Sequence, residues 1–262
     1  MSEPLHRMNP THRFSQRVDD YVRYRPDYPQ AAIDAIFEGM GFASLLTVAD
    51  VGAGTGILSR QLAARGALVV AVEPNPEMRA ACTAHERILL QDGTAEATGL
   101  KDHSVDLITC GQAFHWFDTE KALAEFRRVI RGLGRLAIMW NTRDVDDPVT
   151  TGYTAAIRKA SDEHPAESRM DDVRGFEDSA YFTDLRALTF PHVQWLTLDG
   201  LIGRARSASY CPTSGPKYRT LMDELTALHA RHADPKGRVA LRYVTKLFLL
   251  SPALPFDSHT PV

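Results

Sequence analysis

At 262 residues, with 44% hydrophobic and 24% charged residues and a formal net charge of −3, the chain has room for one substantial domain and lacks the basic footprint of a nucleic-acid binder. Its three cysteines (Cys82, Cys110 and Cys211) are odd in number and lack C-x-x-C spacing, which argues for a reducing compartment and against a disulfide framework or zinc site. The opening MSEPLHRMNPTHRFSQRV is polar and broken by proline, unlike a secretory signal, and no apolar run reaches the roughly 18 residues of a membrane span, so a soluble, cytoplasmic protein is expected.

The segment to about Phe42 reads as helical, with Ala31, Ile33, Ala35, Ile36 and Phe37 forming an apolar stripe after Tyr28-Pro29. Residues 47–51 then pattern as a buried strand, and 57–65 as a helix with Leu58 and Leu62 on one side. LVVAVEP (68–74) is a second strand, followed by a helix over 76–85 opened by Pro76. RILLQ (87–91) and VDLITCGQ (105–112) are the third and fourth strands. Asp118 or Thr119 caps a helix carrying Leu123, Phe126, Val129 and Ile130; Gly132 and Gly134 end it, and RLAIMWN (135–141) is the fifth strand. Beyond 142 the rhythm loosens. Residues 164–180 read as polar loop, 190–198 as a strand and 221–232 as a helix. RVALRYVTKLF (238–248) is a late strand with Val239, Leu241, Tyr243 and Leu247 on one face, and the tail from 251 reads as frayed. Strands alternating with helices predict a parallel sheet covered on both faces.

The most informative stretch is ADVGAGTG (49–56), a glycine-rich turn between a buried strand and a helix. A tight turn alone is the simplest account of such glycines; a ligand close to the backbone is the other. Gly52, Gly54 and Gly56 are spaced G-x-G-x-G, whereas the dinucleotide fingerprint is G-x-G-x-x-G. Glu73, at the end of the second strand, suits a ribose in either case. Asp50 would repel a pyrophosphate and favours a ligand with an ammonium group. A cationic ligand with an adenosine end fits the set.

Four blocks in this order resemble the class I S-adenosylmethionine-dependent methyltransferases. VADVGAGTG is similar to their first motif, VEPNPEM to their acidic second-strand end, and GTAEATGLKDHSVDLITCGQAFHWFD to their third- and fourth-strand region. YVRYRPDYP and AFHWFD resemble the small-molecule branch similar to trans-aconitate methyltransferases. The resemblance covers roughly residues 14–142, and 200–248 more loosely. It implies an α/β fold with a Rossmann-like sheet, mostly parallel with an antiparallel C-terminal strand, and helices on both faces. One domain over 1–262 is expected: a helical lid (1–42), a cofactor core (43–142), a part completing the sheet and acceptor pocket (143–250) and a tail (251–262).

The implied cofactor is S-adenosyl-L-methionine. Gly52, Ala53 and Gly54 would lie against its methionine part with Asp50 nearby, and Glu73, followed by Pro74, would accept the ribose hydroxyls. Gly93, Thr94 and Ala95 would border the adenine, and Tyr24, Arg25 and Gln112 would complete the cofactor side. Thr94 stands where the family often has aspartate, with Asp92 as the nearest replacement. Gly132-Leu133-Gly134 replaces the usual Pro-Gly-Gly.

Methyl transfer is an in-line displacement, so alignment and water exclusion supply much of the acceleration, and a base is needed only for a protonated acceptor. His115 is the candidate for orienting the acceptor or taking its proton; a packing histidine is the alternative. Tyr21, Phe114, His115, Trp116, Arg206 and Tyr210, with Ser209 beside them, form the candidate acceptor pocket. Trp116 and Phe117 also read as core residues, the Tyr21–Arg25 group as a solvated amphipathic helix, and 203–210 as ordinary surface. The resemblance implies a lid with Tyr24 bordering the methyl group and Arg25 reaching a carboxylate, and it points to acid-like acceptors. No Asn-Pro-Pro-aromatic motif follows the fourth strand, Cys211-Pro212 reverses the order of cytosine C5 enzymes, and no clustered carboxylates suggest a metal. A small-molecule methyl acceptor remains, with no nucleic-acid or membrane partner. The rival readings are a non-catalytic adenosyl-ligand-binding protein and a nucleotide-dependent dehydrogenase.

Overall fold

A computed structural model describes residues 18–82, 84–162, 175–208 and 210–253. Residues 1–17 of the expected lid, 163–174 of the expected polar loop, Ser209 and the tail from 254 lie outside the described residues. Helices α1 (Val18–Tyr24) and α2 (Gln30–Phe37) come first. Pro26 and Pro29 part them, because proline disfavours helical backbone at the preceding residue. Then β1 (Thr47–Val51), α3 (Ile57–Ala64), β2 (Leu68–Val72), α4 (Pro76–Ala80), β3 (Ile88–Gln91), β4 (Val105–Gly111), α5 (Thr119–Val129) and β5 (Ile130–Arg143) follow in order. The chain continues through α6 (Pro148–Ala160), β6 (Phe182–Leu196), α7 (Leu198–Arg206), α8 (Gly215–His232) and β7 (Val239–Pro252).

Among the described residues these strands form one seven-stranded sheet in the order β3-β2-β1-β4-β5-β7-β6. Neighbours from β3 to β5 run parallel, and β7 alone runs antiparallel to its neighbours β5 and β6. The fold is Rossmann-like. Strand order reverses between β1 and β4, which opens a crevice at their carboxyl ends.

Period-two alternation divides the core between the two faces. Ala49, Val51, Ile108, Cys110 and Ile138 pack with Leu123, Phe126 and Val129 of α5. Val48, Val69, Leu107, Ala137 and Met139 meet Ile33, Ile36, Leu58 and Leu62 of α2 and α3. Phe126 is fully buried, and removing a ring from such a position costs about 3–5 kcal/mol. Asp50 belongs to the α3 side by the same alternation. A third cluster joins α6, α7, α8 and β7 through Tyr153, Ile157, Leu201, Leu225 and Tyr243.

Several boundaries differ from expectation. Helix α4 ends at Ala80, not near His85; Asn75 caps it by accepting from Met78 N–H at 2.8 Å. Helix α5 ends at Val129, and β5 begins at once, so Gly132 and Gly134 lie inside the strand and do not end the helix. A Cβ on Gly134 would fall 2.7 Å from the Asp106 carbonyl, where the β4–β5 register shifts. Strand β6 starts at Phe182, well before 190, and Leu198 opens α7 instead of closing the strand, with Thr197 accepting from Gly200 N–H. Helix α6 has no counterpart among the expected elements, although Asp147 caps it and Pro148 opens it. No helix among the described residues is long and apolar enough to cross a membrane.

Candidate active site

The loop after β1 is sewn to β2 through its backbone. Gly52 N–H and Ala53 N–H both donate to the Val72 carbonyl, at 2.9 and 3.1 Å. Gly54 N–H donates to Glu73 Oε2 at 2.8 Å, and Gly56 N–H to the Ala53 carbonyl at 2.9 Å. Gly52 and Gly56 have φ of +69° and +76°; a Cβ would meet Ala113 Cβ at 2.6 Å at the first and Cys82 Sγ at 2.3 Å at the second. These two glycines therefore serve the turn and its packing, while Gly54 faces only the flexible end of Met78. A pyrophosphate cradle needs unpaired amides, and these four are engaged within the protein. This is the physical case against a dinucleotide.

Glu73 ends β2 and is nearly buried. Its Oε2 accepts from Gly54, and its Oε1 from Asn75 N–H at 2.9 Å. A carboxylate has about four lone-pair sites, so each oxygen keeps capacity for a hydroxyl, which is what a ribose requires. Burial raises its pKa, and the two backbone donors oppose that. Pro74 links it to the Asn75 cap. Asp92 is turned aside: it is exposed and pairs with Arg79 at 3.2 Å. Thr94 closes a local turn, its hydroxyl accepting from Ala97 N–H at 3.2 Å. Gly93 leaves room for the Thr98 carbonyl, 2.6 Å from where a Cβ would stand, and Ala95 is buried in the α5 cluster.

Asp50 lies beneath the loop, 1% exposed. Ser59 Oγ donates to it at 2.6 Å and Thr109 Oγ1 at 2.9 Å. Burial pushes its pKa up to about 6 against those hydrogen bonds. Asp50 borders a cavity with Gly52, Ala53, Gln112, Tyr21 and Arg25. The cavity thus joins three parts of the fold at the carboxyl ends of β1 and β4. Gln112 holds φ of +56°, a strained value for a side-chain-bearing residue, fixed because its N–H donates to the Met139 carbonyl and its Oε1 accepts from Asn141 N–H, both at 2.9 Å.

The N-terminal segment is fastened over this cavity. Tyr28 N–H donates to Gln61 Oε1 at 3.0 Å, Gln61 Nε2 donates back to the Tyr28 carbonyl at 2.7 Å, and Asn141 Nδ2 donates to the Asp27 carbonyl at 2.8 Å. Tyr21 and Arg25, one helical turn apart, line the cavity, the guanidinium 4.7 Å from the ring centroid. Tyr24 points elsewhere: its ring fills the place of a side chain at Gly203, on α7.

The expected acceptor residues fall into two sets, Phe114, His115 and Trp116 on one short turn and Tyr21 and Tyr210 beside Arg25. Phe114 is core, 2% exposed, edge-on to Phe117 and Phe176. His115 follows it on the same short turn, and its Nδ1 accepts from Trp140 Nε1–H at 3.3 Å. An indole can only donate, so a neutral His115 in this arrangement carries its proton on Nε2. Trp116 is half-buried with its ring centroid 5.0 Å from that of His115. Arg206 lies at the surface end of α7, paired with Asp20 of α1 at 3.0 Å. Tyr210 meets Arg143 Nη2 at 3.3 Å.

The residue that α7 turns inward is Arg204, 4% exposed. Two helical positions apart are about 200° apart, so Arg204 and Arg206 occupy opposite faces. With Tyr153 and Arg143 it forms a cluster absent from the expected set. The spacing of Leu201, Arg204 and Ala205 after the Thr197 cap was the available signal. Burial and the charge of Arg204 lower the pKa of Arg25, so the two guanidinium groups are electrostatic neighbours.

The methyltransferase-domain family model matches residues 49–138, which span the loop, Glu73 and His115. An uncharacterized methyltransferase of Mycobacterium tuberculosis is 37% identical over 242 residues, covering 88% of this chain and 92% of that one. An uncharacterized methyltransferase-like protein of Schizosaccharomyces pombe is 30% identical over 219 residues, 83% of each chain. Among solved structures, a type II methyltransferase candidate from Anaeromyxobacter dehalogenans has a TM-score of 0.64 at 23% identity, covering 86% of this chain and 97% of that one. Engaged loop amides, a ribose-competent Glu73 and this kinship agree: the chain belongs to the class I S-adenosylmethionine-dependent methyltransferases.

Proposed function

We propose that the acceptor is a small molecule, bound between the glycine loop and α1. The cavity that Tyr21 and Arg25 share with Asp50, Gly52, Ala53 and Gln112 carries this reading, because it sets residues of the N-terminal segment directly against the glycine loop. Bound there, S-adenosylmethionine supplies an electrophilic methyl group on a sulfonium. Glu73 would hold the ribose hydroxyls, Asp50 would face the ammonium group, and Arg25 would meet a carboxylate. Residues 18–29 act as the lid that excludes water. Three buried cysteines outside any disulfide support a cytoplasmic setting.

His115 orients the acceptor. With Trp140 donating to Nδ1, the neutral imidazole offers Nε2–H as a donor, which suits an acceptor that arrives as an anion. S-Adenosylhomocysteine should raise the melting temperature by mass action, and NAD at equal concentration should not; a shift with NAD alone would sink the reading. Once an acceptor is found, His115→Ala should lower turnover about tenfold per folded molecule, short of the roughly 10²- to 10⁴-fold loss typical of a missing general base. A pH–rate limb in the histidine range that vanishes in the variant would make His115 a base instead.

A further inference from the structure

Beneath α1, positive charge is buried without a carboxylate among the described residues to meet it. Arg204 lies within the α6–α7–α8 cluster; its Nη1 donates to Ser207 Oγ at 3.3 Å, it hydrogen-bonds Tyr243, and its Nε has no partner. Arg25 donates from Nη2 to the Ser207 carbonyl at 3.1 Å, and its Nε is likewise buried without a partner. The hydroxyl of Tyr153, a fully buried residue, has none either, and the Arg143 guanidinium lies 5.1 Å above its ring. Neither Arg25 nor Arg204 forms an ion pair with any described carboxylate. The nearby tyrosines are neutral at neutral pH, so they solvate this charge without cancelling it.

Guanidinium and phenol groups left over in this way are donors in want of an acceptor. Buried charges are ordinarily paired, because burying one alone is costly. A planar oxyanion meets the arginine fork in the geometry it favours. Arg25 borders the cavity assigned above to the cofactor, whose carboxylate would satisfy it; Arg204 and Tyr153 do not border that cavity and remain.

We infer that Arg204 and Tyr153 form an oxyanion subsite that holds a carboxylate or phosphate group of the methyl acceptor. This rests on the methyl-transfer reading above and adds to it the acceptor's charge and the residues that recognise it. Entry requires α1 to part from α7, where Tyr24 packs on Gly203 and Asp20 pairs with Arg206 at the solvent edge.

The test uses the full chain saturated with S-adenosylhomocysteine at constant ionic strength. Melting temperature is followed against succinate, inorganic phosphate and, as a cationic control, butane-1,4-diamine. Succinate or phosphate should raise it in a saturable way, and the diamine should not; whichever anion acts identifies the group carried. Arg204→Met should weaken that anion at least tenfold, with S-adenosylhomocysteine affinity within twofold of the parent. Tyr153→Phe removes a hydroxyl that has no partner to lose, so it should fold normally and weaken the anion several-fold. No saturable shift with either anion, or equal shifts in parent and both variants, would overturn the subsite. Failure of the parent to bind S-adenosylhomocysteine would instead overturn the reading beneath it.

Discussion

The two halves of the sheet gather their polar groups by different means. Around β1, β2 and β4 the polar lining is mostly backbone: engaged amides and left-handed glycines, with Asp50 just before the loop and Glu73 joined to it by the Gly54 N–H. Around β5, β7, α6 and α7 it consists of side chains drawn from Arg143, Tyr153, Arg204 and Tyr243, far apart in sequence. A backbone site tolerates many neighbours but no added Cβ. A side-chain site depends on the phase of each helix that supplies it, and one position either way turns a group out to solvent.

The largest effect should come from the backbone side. In Gly56→Ala the new Cβ would stand 2.3 Å from Cys82 Sγ at a φ of +76°. Left-handed strain and overpacking together should cost about 2–4 kcal/mol, lowering the melting temperature by roughly 4–16 °C. Adding Cys82→Ala should recover part of that loss. An unchanged melting temperature would show that the loop is not held as described.

Asp50 extends the same contrast to pH. Its folded pKa of about 6 lies above the ordinary carboxyl value of 3.8, so between those values the folded state holds a proton that the unfolded state has released. Stability from this group is therefore full below about pH 4 and lost as pH rises to about 6, a change on the order of 3 kcal/mol. Glu73, also raised, acts with the same sign. Asp50→Asn should flatten the dependence of melting temperature on pH across this window. A variant curve parallel to the parent's would refute the assignment.

Glu73→Gln should weaken S-adenosylhomocysteine about tenfold or more, read by calorimetry, because a charge-assisted acceptor is worth on the order of 1.5–3 kcal/mol. It should also lower stability, since the new amide NH₂ must face Gly54 N–H or Asn75 N–H. Unchanged affinity would remove Glu73 from the site. The smallest effect belongs to Arg206→Ala, which loses a partly exposed pair with Asp20 worth about 0.2–1 kcal/mol. Its melting temperature should stay within about 4 °C of the parent's. A large loss of turnover there would erase the distinction between the two faces of α7.

Much of the first half is legible in its residues alone. Val48 and Ala49 show a buried strand, Glu73 follows the second apolar run, and the G-x-G-x-G spacing separates this turn from a dinucleotide loop. Legibility falls beyond 142 because the buried faces of α6 and α7 mix polar and charged residues, Thr150, Thr154 and Arg204, with apolar ones. Residue type draws Tyr24 and Arg206 toward the pocket, and helical phase takes each away from it. The place of Phe114 after β4 suggests the same pocket, and packing assigns it to the core.

Residue order alone accounts for the strand and helix rhythm to residue 141, the glycine turn and the acid that ends β2, because each is written in residues a few positions apart. Long-range packing instead engages the loop amides, sets the donor on His115 through Trp140, and turns Arg204 inward while Arg206 pairs with Asp20. Those outcomes depend on contacts across 20 to nearly 190 positions, such as Gly52 with Val72 or Arg206 with Asp20. Local spacing carries no record of which distant group will arrive, and burial, not composition, settles which charge must find a partner.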